Sequence, residues 1–131
     1  PLMADGGRIV NLSSVLGRFG VPGYTAYCAT KHGVIGFTRA LSLELVKRKI
    51  TVNAIAPGWV ETDMAALGME QGAKYAKDSF DEFKDQMISA VPIKRIIDPT
   101  EVAALVKFLC SADASAITGQ TYNICGGQTM A

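Results

Sequence analysis

Three short strand-like runs, Arg8–Leu12, Thr51–Ala56 and Gln120–Cys125, are separated by helical stretches, and no other feature constrains the fold as much. Strands joined through helices form crossover units of a parallel sheet with right-handed connections. Gly6-Gly7 opens the first run, and Ser13–Gly23, rich in glycine, follows it as a loop. Thr51–Ala56 is expected to be a buried strand ended by Pro57-Gly58. A helix is predicted over Thr25–Lys47. Its apolar positions, among them Tyr27, Cys28, Ile35, Phe37, Leu41, Leu43 and Val46, run around much of the circumference, which predicts two buried faces. Gly33 and Gly36 lower helix propensity inside it and suggest a close approach by another backbone. Thr62–Ala90 reads as a mostly helical excursion of mixed charge. Asp98-Pro99-Thr100-Glu101 then starts a last helix, running to about Cys110, with Asp98 as N-cap, Pro99 at the first helical position and Glu101 as capping-box partner.

Ser14, Tyr27 and Lys31 carry the chemistry. Tyr27 and Lys31 are four residues apart on the predicted helix, so they share a face one turn apart. Ser14 lies just past the first strand and is placed to face the helix start. An ammonium beside a phenol favours the phenolate and is expected to lower a tyrosine from its usual value of about 10. A tyrosine tuned in this way passes a proton near neutral pH, and a serine hydroxyl beside it orients a carbonyl or alcohol oxygen. The trio suits interconversion of a ketone and an alcohol.

With the flanking blocks, these residues resemble the active-site segment of the classical short-chain dehydrogenase/reductase family, which uses a serine followed by Tyr-x-x-x-Lys. Asn53-Ala54-Ile55-Ala56-Pro57-Gly58-Trp59-Val60-Glu61-Thr62 resembles the family's N-A-x-x-P-G-x-x-x-T block, and Thr118-Gly119-Gln120 to Gly126-Gly127 resembles its closing strand. The similarity runs from about Gly7 to Gly127, and is greatest to 3-oxoacyl-carrier-protein reductases and polyketide ketoreductases. The resemblance implies that Tyr27 is the general acid or base, that Lys31 assists it and contacts the nicotinamide ribose, and that Ser14 orients the substrate. It also implies that Pro57, Gly58, Val60 and Thr62 meet the nicotinamide, with the Val60 backbone and the Thr62 side chain at its carboxamide. The stretch Gly68–Ala90 resembles the family's substrate lid. Trp59 and Met64 read equally well as pocket lining and as core.

Family members are about twice as long and begin with a T-G-x-x-x-G-x-G turn that does not occur in these 131 residues. The residue that selects NAD or NADP and the asparagine of the usual catalytic tetrad are not found either. The expected fold is therefore α/β, the C-terminal half of a Rossmann-like doubly wound parallel sheet. About three strands and flanking helices make a single partial domain over 1–131, without the N-terminal βαβ half. The first strand would be an exposed edge, because its usual neighbour is the parent's fourth strand. A homo-oligomeric partner or a complementary fragment is expected to cover it. The last helix and strand, which help form a subunit contact in the family, lie here at Pro99–Cys110 and Gln120–Cys125.

Composition excludes several classes. A net charge of +1 points to neither nucleic acid nor an anionic membrane, and no apolar run is long enough to span a bilayer. Hydrophobic residues at 49%, with 13 glycines beside them, exceed the roughly 45–50% of typical chains on that count, as expected of a chain with surface to be covered. Lys47-Arg48-Lys49 reads as a solvated helix end. Cys28, Cys110 and Cys125 are odd in number, lack CxxC spacing and stand in apolar contexts; they are read as reduced and structural, which favours a cytoplasmic setting. His32, the only histidine, is read as a non-catalytic helix residue, and no metal site is expected.

Three functions compete. The first is an NAD(P)-dependent ketone/alcohol oxidoreductase, or its C-terminal half, acting on a ketone such as a 3-oxoacyl thioester. The second is a non-catalytic remnant or assembly subunit, since only part of a dinucleotide site is present. The third is a hydrolase with Ser14 as nucleophile, although no G-x-S-x-G elbow occurs. The sequence is equally compatible with NAD and with NADP.

Overall fold

In the computed structural model, which describes residues 3–130, the second strand is the centre of the molecule. β2 (Thr51–Pro57) is buried along its whole length. It pairs in parallel with β1 (Arg8–Leu12) on one side and with β3 (Thr121–Ile124) on the other. Its β-branched and small residues, Val52, Ala54, Ile55 and Ala56 among them, are almost wholly enclosed, as befits a strand covered on both faces. The expected three-stranded α/β half-sheet is the fold observed. β1 is an edge, pairing among the described residues with β2 alone.

Among the described residues four α-helices connect and flank the strands: α1 (Thr25–Leu45), α2 (Asp63–Ala76), α3 (Phe80–Ala90) and α4 (Pro99–Leu109). α1 stops two residues earlier than its periodicity predicts. The chain tightens into a 3-10 turn over Val46–Arg48, and Lys49 then turns left-handed at φ 56° to enter β2. The mostly helical excursion over 62–90 consists of two helices, because Lys77 leaves α2 in the left-handed region and Ser79 restarts the chain with its own capping box to Glu82. The Asp98–Glu101 capping box is present as expected, with Pro99 in the first turn.

α1 buries only one of the two faces predicted. Cys28, Ile35, Thr38 and Ser42 turn inward, while Phe37 and Leu43 are 56% and 77% exposed. The inner face is partly polar because its hydroxyls have partners: Thr38 Oγ1 donates to the Val34 carbonyl and accepts from Asn11, and Ser42 donates to Arg39. Outside the helix's own backbone, nothing among the described residues lies within 4 Å of where a Cβ would stand at Gly33 or Gly36, so no other described backbone approaches them. All three cysteines are free; Cys28 and Cys125 are buried, but Cys110 is exposed rather than enclosed. Arg48, in the basic run, pairs with Asp5 at 2.9 Å. Gly126-Gly127 is a turn with both φ angles positive.

Candidate active site

β1 and β2 end side by side, with Leu12 opposite Ile55. The sheet pairing continues one residue further, where the Ser13 amide donates to the Ile55 carbonyl at 2.8 Å. Ser14, the start of α1 and the 57–62 segment all follow from this carboxyl end of the parallel strands, where open α/β sheets bind ligands.

Tyr27 and Lys31 meet as their spacing predicts. The Lys31 ammonium stands 5.4 Å from the centroid of the Tyr27 ring and donates to the Leu12 carbonyl at 3.0 Å. Tyr27 is 39% exposed, and among the described residues its hydroxyl takes no partner within the chain. Tyr24 packs against it edge-on, ring centroids 6.5 Å apart. Ser14 is buried in extended backbone and its Oγ accepts from the Leu16 amide at 3.1 Å, capping a short 3-10 turn over Val15–Gly17. His32 bonds back to the Cys28 carbonyl, in keeping with a role inside the helix.

The segment after β2 is held on both sides. The Gly58 amide donates to Ile124 at 3.0 Å, and a Cβ at Gly58 would stand 3.1 Å from Cys125, so glycine lets β2 leave the sheet tightly against the end of β3. Trp59 accepts from the Ile97 amide, and the Glu61 amide donates to Ile97. In this parallel bridge between Val60 and Ile97, the flanking groups face Ile97 and the Val60 amide faces away from it. Thr62 caps α2 by accepting from the Ala65 amide at 3.2 Å, and it donates to the Val60 carbonyl. Trp59 is half-buried, within packing distance of Gly68, whereas Met64 is 75% exposed. Tyr24 reaches α2 through a long 3.5 Å contact to the Gly68 carbonyl.

Two residues of this region were not singled out by their sequence context. Ser13, beside Ser14, donates from its hydroxyl to the Lys31 carbonyl at 2.8 Å. Gly17 lies against that bond. Of the serine pair, Ser14 is the one its position after the strand directs to the helix start, yet it is Ser13 whose hydroxyl bonds the helix, while Ser14 caps the 3-10 turn. Strand alternation decides which member faces the helix, but only once the register is known.

A family model described as Enoyl-(Acyl carrier protein) reductase matches residues 1–129. The chain belongs to the short-chain dehydrogenase/reductase family. It is 48% identical over 121 residues to a protein named as a ketoacyl reductase in Streptomyces coelicolor, covering 92% of this chain and 46% of the relative. It is 45% identical over 125 residues to the 3-oxoacyl-[acyl-carrier-protein] reductase of Staphylococcus epidermidis, covering 95% and 46%. Among solved structures it matches a variant of the actinorhodin polyketide ketoreductase crystallised with NADPH, with TM-score 0.90 and 48% identity, covering 94% of this chain and 48% of that one. The chain spans about half the length of the curated relatives it matches. Among the described residues no helix is long and apolar enough to cross a membrane, and no cluster of side chains is suited to hold a metal ion.

Proposed function

We propose that this chain is the catalytic half of an NAD(P)-dependent oxidoreductase that interconverts a ketone and a secondary alcohol, with a 3-oxoacyl thioester as the substrate class. The observation that carries this reading is the Lys31 ammonium, fixed on Leu12 and 5.4 Å from the Tyr27 ring, beside the end of the parallel strands. In reduction, the Tyr27 hydroxyl gives its proton to the carbonyl oxygen as hydride reaches the carbonyl carbon; in oxidation it takes the proton back. Lys31 stabilises the phenolate left behind, and Ser14 orients the oxygen. The family model is labelled for enoyl reduction, but a phenol and a serine hydroxyl suit a carbonyl oxygen, and the relatives' names agree.

The residues present fit a nicotinamide. The Val60 amide turns away from Ile97, the Thr62 hydroxyl lies exposed at the start of α2, and Pro57-Gly58 brings the backbone close to β3 without a side chain between. Tyr27, Lys31, Pro57, Gly58, Val60 and Thr62 would hold its ring, carboxamide and ribose. When bound, the nicotinamide supplies or takes the hydride, and the protein supplies position and electrostatics. Either NADP or NAD is accommodated by these contacts. A cytoplasmic setting accords with three free cysteines.

The test is a fluorescence titration of NADPH, then NADH, into the 131-residue chain, followed by a ketone screen. Saturable micromolar binding is the expected result. No binding up to millimolar cofactor would remove hydride transfer as the function of this chain alone.

The second reading is assembly with a covering partner, a second copy or a complementary fragment. It is favoured by the one-sided β1 edge, where Leu12 is 59% exposed, and by Phe37 and Leu43 on the outer face of α1. Sedimentation at the mass of a 13.9 kDa monomer, with a well-dispersed amide spectrum, would remove it.

A further inference from the structure

We propose that Ser13 is a positioning residue for Lys31, and that Leu12 and Ser13 together form a clamp that sets where the ammonium stands relative to Tyr27. The inference rests on the reading of Tyr27 and Lys31 given above. It starts from an asymmetry in the serine pair. Ser14 faces its own 3-10 turn, whereas Ser13 is 3% exposed and aims its hydroxyl at the helix, donating to the Lys31 carbonyl at 2.8 Å. The residue before it, Leu12, accepts from the Lys31 ammonium at 3.0 Å. Two consecutive residues at the end of one strand thus hold both ends of a single lysine.

A lysine side chain has a flexible four-carbon stem, so fixing the ammonium alone leaves the backbone end free to shift with the helix. Fixing both ends removes that freedom. Ser13 is itself tied to the sheet through its amide, which bonds Ile55, so the clamp transmits the position of β2 to Lys31. Gly17 supports it by having no side chain: a Cβ there would lie 2.7 Å from Ser13 Oγ and 2.8 Å from the Lys31 carbonyl oxygen, the two atoms of the bond. Those are distances that real Cβ atoms do not show. A buried hydroxyl pays heavily for a lost partner, so the bond is expected to persist rather than flicker.

The test needs no turnover. In the chain labelled with 15N-lysine, the Lys31 ammonium resonance, assigned by its loss in Lys31→Met, carries the hydrogen bond to Leu12 and the ring-current shift of Tyr27. In Ser13→Ala that ring-current shift is expected to fall by at least half and the ammonium signal to broaden, while the amide spectrum of β2 and α4 keeps its native dispersion. Ser13→Thr, which keeps the hydroxyl, restores both. Gly17→Ala, which keeps Ser13 but crowds the bond, repeats the loss and decides the matter should Ser13→Ala not fold. An unmoved Lys31 signal in either folded variant, or a folded Ser13→Thr that fails to restore it, overturns the proposal. Where turnover is measurable, Ser13→Ala lowers kcat about tenfold and leaves KM within about twofold. The two readings fail separately. A native Lys31 signal without NADPH binding or ketone turnover sinks the functional reading, and turnover with an unmoved Lys31 signal in Ser13→Ala sinks the clamp.

Discussion

The Lys31 ammonium of α1 donates to the Leu12 carbonyl at the end of β1, 3.0 Å away, and from that anchor stands 5.4 Å from the Tyr27 ring. The strand and the helix therefore share the placement of one charge. Tyr27, by contrast, is 39% exposed and gives its hydroxyl to no group of the described residues.

This contrast separates two substitutions. Tyr27→Phe removes only the phenolic oxygen, so stability should stay within about 0.5 kcal/mol of the parent while turnover falls by about a hundredfold or more. Lys31→Met also removes the bond to Leu12 and should cost about 0.5–1.5 kcal/mol besides. Urea unfolding followed by circular dichroism, set beside ketone reduction rates, checks both. Near-normal turnover in a folded Tyr27→Phe protein would overturn the assignment of the proton donor.

Thr62 combines a structural task with a proposed binding one. Its Oγ1 accepts from the Ala65 amide, so Thr62→Ala leaves the start of α2 without its cap and should cost about 1 kcal/mol. Thr62→Ser keeps the hydroxyl and should recover most of that. If Thr62 also meets the nicotinamide, the alanine variant weakens NADPH binding and the serine variant does not. A cofactor affinity that is the same in all three proteins would confine Thr62 to capping.

The parts of this design that were legible before the structure are those written in local chemistry. Asp98, Pro99 and Glu101 announce a helix start because capping uses groups three residues apart, and β2 announces itself by small and β-branched residues on either side of Asn53. Tyr27 and Lys31 share a face by helical arithmetic alone. The rest depended on distant partners. Phe37 and Leu43 read as core because they are apolar, yet nothing within the described chain covers them. Residues 62–90 lie between these cases: the restart at Ser79 is written locally, with Glu82 three residues on, but the left-handed backbone at Lys77 is not. Ser13 and Gly17 became visible only when β1 and α1 were brought together, since the bond between Ser13 and Lys31 spans 18 residues.

The pair Arg95 and Glu101 gives a pH signature. Arg95 donates to both carboxylate oxygens of Glu101, at 2.6 and 2.8 Å, and the Asp98 amide bonds the same carboxylate at 2.9 Å. The guanidinium bonds first, then the amide, hold Glu101 down from its ordinary 4.5 to about 2. A carboxylate whose value is lower in the folded state adds stability above its unfolded value and loses it as the pH falls toward the folded one. Thermal stability should therefore decline between pH 4.5 and about 2. Glu101→Gln, which can still accept from Asp98, should show a shallower decline, so that the two melting curves converge near the acid end. Parallel melting profiles across that window would show that the pair is too well solvated to matter.

The packing of α2 on α3 offers a test of how the helical excursion after β2 is held. Gly72 of α2 lies under the Phe83 ring of α3: a Cβ at this position would come within 2.4 Å of the ring, with a second ring carbon at 2.7 Å. Gly72→Ala improves helix propensity by about 1 kcal/mol, but the ring must move aside, and such overpacking costs about 1–3 kcal/mol. The steric term wins where the ring cannot swing out, and the expected outcome is a loosened α2–α3 contact with an intact sheet. Hydrogen exchange reads this directly. Amides of α2 and α3 should exchange faster in Gly72→Ala, while those of β2, buried along its whole length, should not change. Combining Gly72→Ala with Phe83→Leu, which shortens the opposing side chain, should return protection to α2. Slower exchange in the single variant would mean that the ring yields freely and that propensity, not packing, governs this pair of helices.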